Sequence, residues 1–261
     1  MKGQLIKMPA KLVGNVVQYL GLIKGEAFDL NSLVGSEVKL DFLGRIFCPS
    51  CQKQVKKLYQ GFCYPCFTES PSASPCIIKP ELCEAHLGKG RDVEWEQNYH
   101  NQPHTVYFAL SSGVKVGVTR DMQIPTRWID QGASFAQAVV NVPYRQLAGE
   151  IEVMLKDHYS DKTNWRKMLK NEVCSMDLGE LVEELFDYLP EEYHDYILEP
   201  ESWLSLDYPS IAYPDKVSSV SLDKTPSIQG KLLAIKGQYL IFEGGASLNI
   251  RKHMGYEVAF H

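Results

Sequence analysis

The stretch from 48 to 66, CPSCQKQVKKLYQGFCYPC, constrains this chain more than any other. It sets Cys48-x2-Cys51 and Cys63-x2-Cys66 on either side of an eleven-residue gap. A CxxC turn lets two thiolates converge on one ion, and two such turns joined by a short hairpin complete a tetrahedral four-sulfur shell. The spacing predicts a structural zinc site of zinc-ribbon type on Cys48, Cys51, Cys63 and Cys66. Four thiolates leave no open coordination position, which argues against catalytic zinc there. A CxxC redox pair is the competing reading.

The thiols must be reduced for this to hold. The N-terminus, MKGQLIKMPAKLVGNVVQYL, lacks an uninterrupted apolar stretch and a small-residue cleavage site. No apolar run reaches the roughly 18 residues of a membrane span. A cytoplasmic protein with no membrane partner is therefore expected, and paired cysteines then point to metal rather than to disulfides.

Two more cysteines follow in CIIKPELCEAH. Cys76-x6-Cys83-x2-His86 suggests a second zinc site, completed by His104 or by His100. The competing reading makes Cys76 a small buried hydrophobe and His86 a surface residue. Between the CxxC pairs, Lys53, Lys56 and Lys57 alternate with Tyr59 and Phe62, a pattern suited to nucleic acid or to simple solubility.

Charge is unevenly spread. Residues 1–170 carry 21 Lys+Arg against 16 Asp+Glu, whereas 171–261 carry 6 against 16. From 172 to 207 there are twelve acids and no Lys or Arg. Any phosphate-binding surface belongs to the first two-thirds. Five segments are expected: a β segment (1–45), the cysteine-rich region (46–104), an α/β core (105–171), an acidic helical segment (172–205) with an apolar stripe of Leu178, Leu181, Val182, Leu185 and Phe186, and a second β segment (206–261). The two β segments echo each other. LNSLVGSEVKLDF (30–42) and LNIRKHMGYEVAFH (248–261) share Leu-Asn, Gly-x-Glu-Val and a Phe. LGLIKG and LLAIKG precede them, and chance strand similarity is the competing explanation.

Within 105–171, VYFAL and VKVGVT form a hairpin across Ser-Ser-Gly. IPTRWIDQGAS then opens a helix with Arg127 and Trp128, FAQAVVNV reads as a third strand, and 144–159 is an amphipathic helix by its recurrence of Leu147, Ile151, Met154, Leu155 and His158. Asn164 can cap a further helix.

The order strand, strand, helix with Arg, strand, helix with Glu resembles the GIY-YIG nuclease superfamily, in its divergent branch where the second signature reads Lys-x-Gly. Val106-Tyr107 matches the first signature, Lys115-Val116-Gly117-Val118-Thr119 the second, Arg127 the helix arginine and Glu152 the later acid. The whole chain also resembles an uncharacterised bacterial family of unknown function. The fold class is thus α+β: a zinc-ribbon-like insert, a small three-stranded GIY-YIG-like α/β core and β-rich ends. The resemblance implies a nuclease using Tyr107, Lys115, Arg127 and Glu152, with Mg²⁺ on Glu152 and DNA or RNA as partner. Lys115 stands where the family has its second Tyr, which keeps open a non-catalytic nucleic-acid or ribonucleoprotein binding module. Helical geometry alone favours Glu150 over Glu152.

Overall fold

The computed structural model describes residues 1–159, 164–175, 179–199 and 201–261. Strands β1 (Lys2–Gln4), β2 (Ala10–Val13), β3 (Val16–Tyr19) and the long β4 (Glu37–Phe47) precede the cysteine-rich region. That region carries β5 (Gln54–Val55), α1 (Tyr64–Glu69) and α2 (Val93–His100), linked by single turns of 3-10 helix. Then come β6 (His104–Leu110), β7 (Val114–Arg120), α3 (Thr126–Gln131), β8 (Phe135–Val142) and α4 (Arg145–Lys156). Short elements follow: α5 (Trp165–Leu169), α6 (Glu180–Glu183), α7 (Leu185–Tyr188) and β9 (Leu204–Ser205). The chain ends in β10 (Ser218–Val220), β11 (Ser227–Lys236), β12 (Tyr239–Phe242), β13 (Ala246–Asn249) and β14 (Tyr256–Phe260). The fold is mixed α+β, and no helix among the described residues is long and apolar enough to cross a membrane.

The two ends of the chain build one sheet. Its eight strands run β1-β14-β4-β11-β12-β13-β10, with β5 added to β4. The echo between the β segments has a structural counterpart. Each copy makes a turn of 3-10 helix (Leu30–Leu33, Arg251–His253), then a glycine at positive φ (Gly35 at 94°, Gly255 at 84°), then a strand. Those strands, β4 and β14, pair antiparallel with Phe42 opposite Val258. The shared Gly-x-Glu-Val thus marks a left-handed backbone turn that glycine adopts without a Cβ clash.

The second sheet is antiparallel, in the order β7-β6-β8-β9. Its two-residue edge strand β9 is too short to leave a periodic signal. Every residue of β6 is buried, because both faces of this sheet are covered. Val106, Phe108 and Leu110 face α4 and the acidic helices, while Tyr107 and Ala109 join Trp128 and Ile129 against the large sheet. A sheet buried on both faces reads as a continuous apolar run rather than an alternating one.

The turn between β11 and β12 locks the two halves together. Gln238 donates to Asp130 at 3.0 Å and to the Met8 carbonyl, and accepts from the Met8 amide. Tyr19 donates to the Gly237 carbonyl at 2.8 Å. Helix α3 is thereby fixed from the C-terminal sheet. The acidic segment forms short helices rather than one long one. Leu181, Val182 and Leu185 are buried and Phe186 is exposed; Leu178 lies outside the described residues.

Candidate functional site

Among the described residues, two groups of His, Cys, Asp and Glu can hold a metal ion. The first is Cys48, Cys51, Cys63 and Cys66, whose sulfurs all lie within 4.8 Å of one another. Cys51 Sγ and Cys63 Sγ are 3.6 Å apart. A tetrahedral zinc with sulfurs at about 2.3 Å requires an S–S edge of about 3.8 Å, so the donor set fits zinc. Backbone geometry supplies the convergence. Tyr59 and Phe62 exchange both backbone hydrogen bonds (2.7 and 3.0 Å) across Gln60 and Gly61. Both turn residues sit at positive φ, as a type I′ hairpin turn demands. The Cys63 amide donates to Cys48 Sγ at 3.3 Å. Burial opposes ionisation of Cys48, but the amides of Cys63, Cys51 and Ser50 bring its pKa down to about 7. Lys57 sits over the Tyr59 ring at 4.7 Å, so part of the basic-aromatic hairpin is spent on its own packing.

The second group is Cys76, Cys83, Glu96 and His100, all buried. His100 Nδ1 lies 3.5 Å from Cys83 Sγ and 3.9 Å from Cys76 Sγ. Asp92 caps α2 by accepting from the Trp95 amide at 3.0 Å. The capped helix then turns Glu96 and His100, one turn apart, onto the same face. Two thiolates, an imidazole and a carboxylate form a four-donor set suited to zinc. The hydrogen bond from Cys83, aided by His100 and Ser74, draws Cys76 down to about 4 despite burial, while Cys76 pushes Cys83 up. Two clustered thiols without a cation cannot both ionise. Gly90 leaves room for the Glu96 carboxylate, since a Cβ there would come within 2.5 Å of Glu96 Cδ.

His86 and His104 stand outside this group, contrary to the ligand set expected from the sequence. His86 stacks on Tyr144 at 4.5 Å. His104 is held in β6 with Nδ1 2.7 Å from the Gln102 carbonyl. Burial takes its pKa down to about 4, leaving a neutral core histidine.

The second group borders a cavity of about 650 Å³. On β7, the two-residue period puts Lys115, Gly117 and Thr119 on one face, and Lys115 and Thr119 line the cavity with Arg120. On α3, Arg127 and Asp130 are one turn apart and both reach it. On α4, Arg145, Glu152 and Lys156 follow seven and four residues apart along one helix face. Lys7 and Arg251 enter from the side of the large sheet. Seven basic side chains therefore face two carboxylates. Asp130 is engaged by Lys7 at 2.5 Å and by Gln238, and Glu152 has Lys156 at 3.2 Å. Burial pulls the pKa of both Arg145 and Arg251 below the usual arginine range.

The sequence candidates thus fall in different places. Lys115, Arg127 and Glu152 meet in the cavity. Glu150 does not line it and accepts instead from Gln146. Asn164 caps α5, accepting from the Arg166 and Lys167 amides. Tyr107 is fully buried and does not line the cavity. Its hydroxyl fills the gap left by Gly117, where a Cβ would come within 2.5 Å of it. Burial raises its pKa, and the nearby Arg127 guanidinium lowers it. The hydroxyl is buried and has no hydrogen-bond partner among the described residues.

The second cysteine group and the cavity are mechanically linked. Arg145 donates to the carbonyls of Cys76 and Ile77 at 3.0–3.1 Å. Gly149 of α4 meets the backbone of the same loop, where a Cβ would lie 2.1 Å from the Glu81 nitrogen. The loop that carries Cys76 and Cys83 is docked on the helix that carries Glu152.

A family model described as Protein of unknown function (DUF2797) matches residues 35–258. The chain belongs to that family. The DUF2797 match spans both cysteine groups and every cavity residue named above except Lys7. No curated protein and no solved structure matches the chain.

Proposed function

We propose that the cavity binds the phosphodiester backbone of nucleic acid and hydrolyses it, with Glu152 holding a Mg²⁺ ion and zinc in the second cysteine group bracing the adjoining wall. The observation that carries this reading is the meeting of Lys115, Arg127 and Glu152, from three separate elements, in one strongly basic cavity. The resemblance to GIY-YIG nucleases supplies the reaction class.

Phosphoryl transfer requires positive charge where negative charge builds, and an oriented water. Arg127 grips a non-bridging phosphate oxygen through its planar fork. Lys115 and Arg145 add charge to the same phosphate. Glu152 would hold the ion through a carboxylate oxygen, with water and the oxygens of a bound phosphate completing its shell and offsetting the surrounding cations. When bound, Mg²⁺ supplies Lewis acidity and a water of lowered pKa. The reading also entails a reducing, cytoplasmic setting in which the six clustered thiols stay available to metal.

One observation favours a second reading, binding without cleavage. Lys115 replaces a signature tyrosine, and the other, Tyr107, has its hydroxyl inside the core. Incubating end-labelled DNA and RNA with the protein, with and without Mg²⁺, separates the two. Metal-dependent shortening that disappears in Glu152→Gln supports hydrolysis. Retention that weakens steeply with salt, with no shortening, supports binding alone.

A further inference from the structure

The cavity wall contributed by α2 is aromatic, not basic. Trp95 and Tyr99 line it and stack on each other, with ring centroids 4.4 Å apart and planes 13° from parallel. Tyr99 is 41% exposed. The Arg120 guanidinium lies 4.9 Å from the Tyr99 ring centroid. Trp95 also meets His100 edge-on at 5.3 Å, so the platform stands directly on the second metal group. Lys115 of β7 and the cations of α3 and α4 line the same cavity.

A hydrophobic core does not need this arrangement. The two stacked rings, with the Arg120 guanidinium over Tyr99, form a layered planar surface at a basic cavity that fits a planar, electron-rich partner. Base stacking on aromatic side chains requires a base whose face is uncovered. A duplex hides those faces, and a single strand or an extruded nucleotide offers them.

Taking the proposed phosphate site as given, we infer that the substrate is single-stranded or locally unpaired nucleic acid. One base stacks on the Trp95–Tyr99 platform while the adjoining phosphate lies between Lys115, Arg127 and Arg145. The platform selects strand form and the basic wall supplies charge. Its dependence on α2 makes this selection sensitive to the metal held by Cys76, Cys83, Glu96 and His100.

The test is fluorescence anisotropy on the full-length zinc-loaded protein. Three fluorescein-labelled probes of equal length are used: oligo-dT, an abasic oligodeoxynucleotide and a duplex. The variants are Tyr99→Ala and Tyr99→Phe, with zinc content measured for each. The expected result is that oligo-dT binds at least about 10-fold tighter than the abasic strand or the duplex. Tyr99→Ala should weaken oligo-dT binding by about 5- to 150-fold and leave the abasic strand unchanged, and Tyr99→Phe should restore wild-type affinity. Equal affinity for the abasic strand or the duplex, or an unchanged Tyr99→Ala, overturns the inference while the phosphate site stands. Failure of all three probes to bind overturns the phosphate site and the inference together.

Discussion

Replacing Gly149 with alanine is a severe test of how the loop carrying Cys76 and Cys83 is joined to α4. In an exposed helix interior this change stabilises by about 1 kcal/mol, because alanine is the better helix former. Here the sign should reverse. The new Cβ would lie 2.1 Å from the Glu81 nitrogen, 2.4 Å from the Pro80 carbonyl carbon and 2.8 Å from Glu81 Cα. All three are backbone atoms, so no side chain can swing aside. Restoring van der Waals contact requires the loop to retreat by more than about 1 Å. Overpacking of this kind costs about 1–3 kcal/mol. Three backbone clashes put the cost at the upper end, which leaves a net loss of about 2 kcal/mol after the helix gain. Urea denaturation measures it, with zinc release to a chelating dye recorded in parallel. Val153→Ala, at an exposed position of the same helix, serves as the control and should be neutral or slightly stabilising. A Gly149→Ala protein as stable as wild type, with zinc release unchanged, would refute the described docking.

Elemental analysis should find two zinc ions per chain in the purified protein. Cys51→Ser and Cys83→Ser should each lose one, and the loss in Cys83→Ser alone should weaken oligonucleotide binding, since only that group adjoins the cavity. Lys236 is 1% exposed, and burial takes its pKa down to about 8, although Ser134 and Asn171 accept from its ammonium. The folded value lies below the unfolded value of about 10.4, so between these pH values the unfolded chain binds more protons and stability rises with pH. Below pH 8 the full cost of the buried charge is present. The stability deficit of wild type relative to Lys236→Met should therefore shrink by about 3 kcal/mol between pH 7 and pH 10.4. Urea titrations at the two pH values check this, and a pH-independent difference would count against it.

Some of this molecule was legible in the order of its residues, and the limits have physical causes. The first cysteine group is visible because CxxC turns are local and their gap matches a hairpin. The amphipathic pattern over 144–159 tracks α4, which runs Arg145–Lys156. Glu96 as a ligand beside His100 leaves little trace in the sequence, because irregular 3-10 turns separate the pair from Cys76 and Cys83. The available signal was an i,i+4 Glu–His pair behind an Asp cap. Arg145 could have been read as a partner of Glu152, being seven residues away on the same helix face. Lys7 and Arg251 could not, since only pairing between the chain ends brings them to the cavity. Tyr107 misled for a related reason. A strand buried on both faces shows no alternation, so nothing local reveals that this ring points into the core.

The most direct test of the central claim measures dissociation constant and single-turnover cleavage rate on one labelled single strand with Mg²⁺. The proteins compared are wild type, Arg127→Ala and Glu152→Gln. Wild type should cleave in a Mg²⁺-dependent manner, and Arg127→Ala should lose both affinity and rate. In Glu152→Gln the rate should fall at least about 100-fold while binding is kept or tightened, because one negative charge leaves a basic cavity. A wild-type protein that binds without cutting, or a Glu152→Gln variant that cuts at the wild-type rate, would contradict that claim.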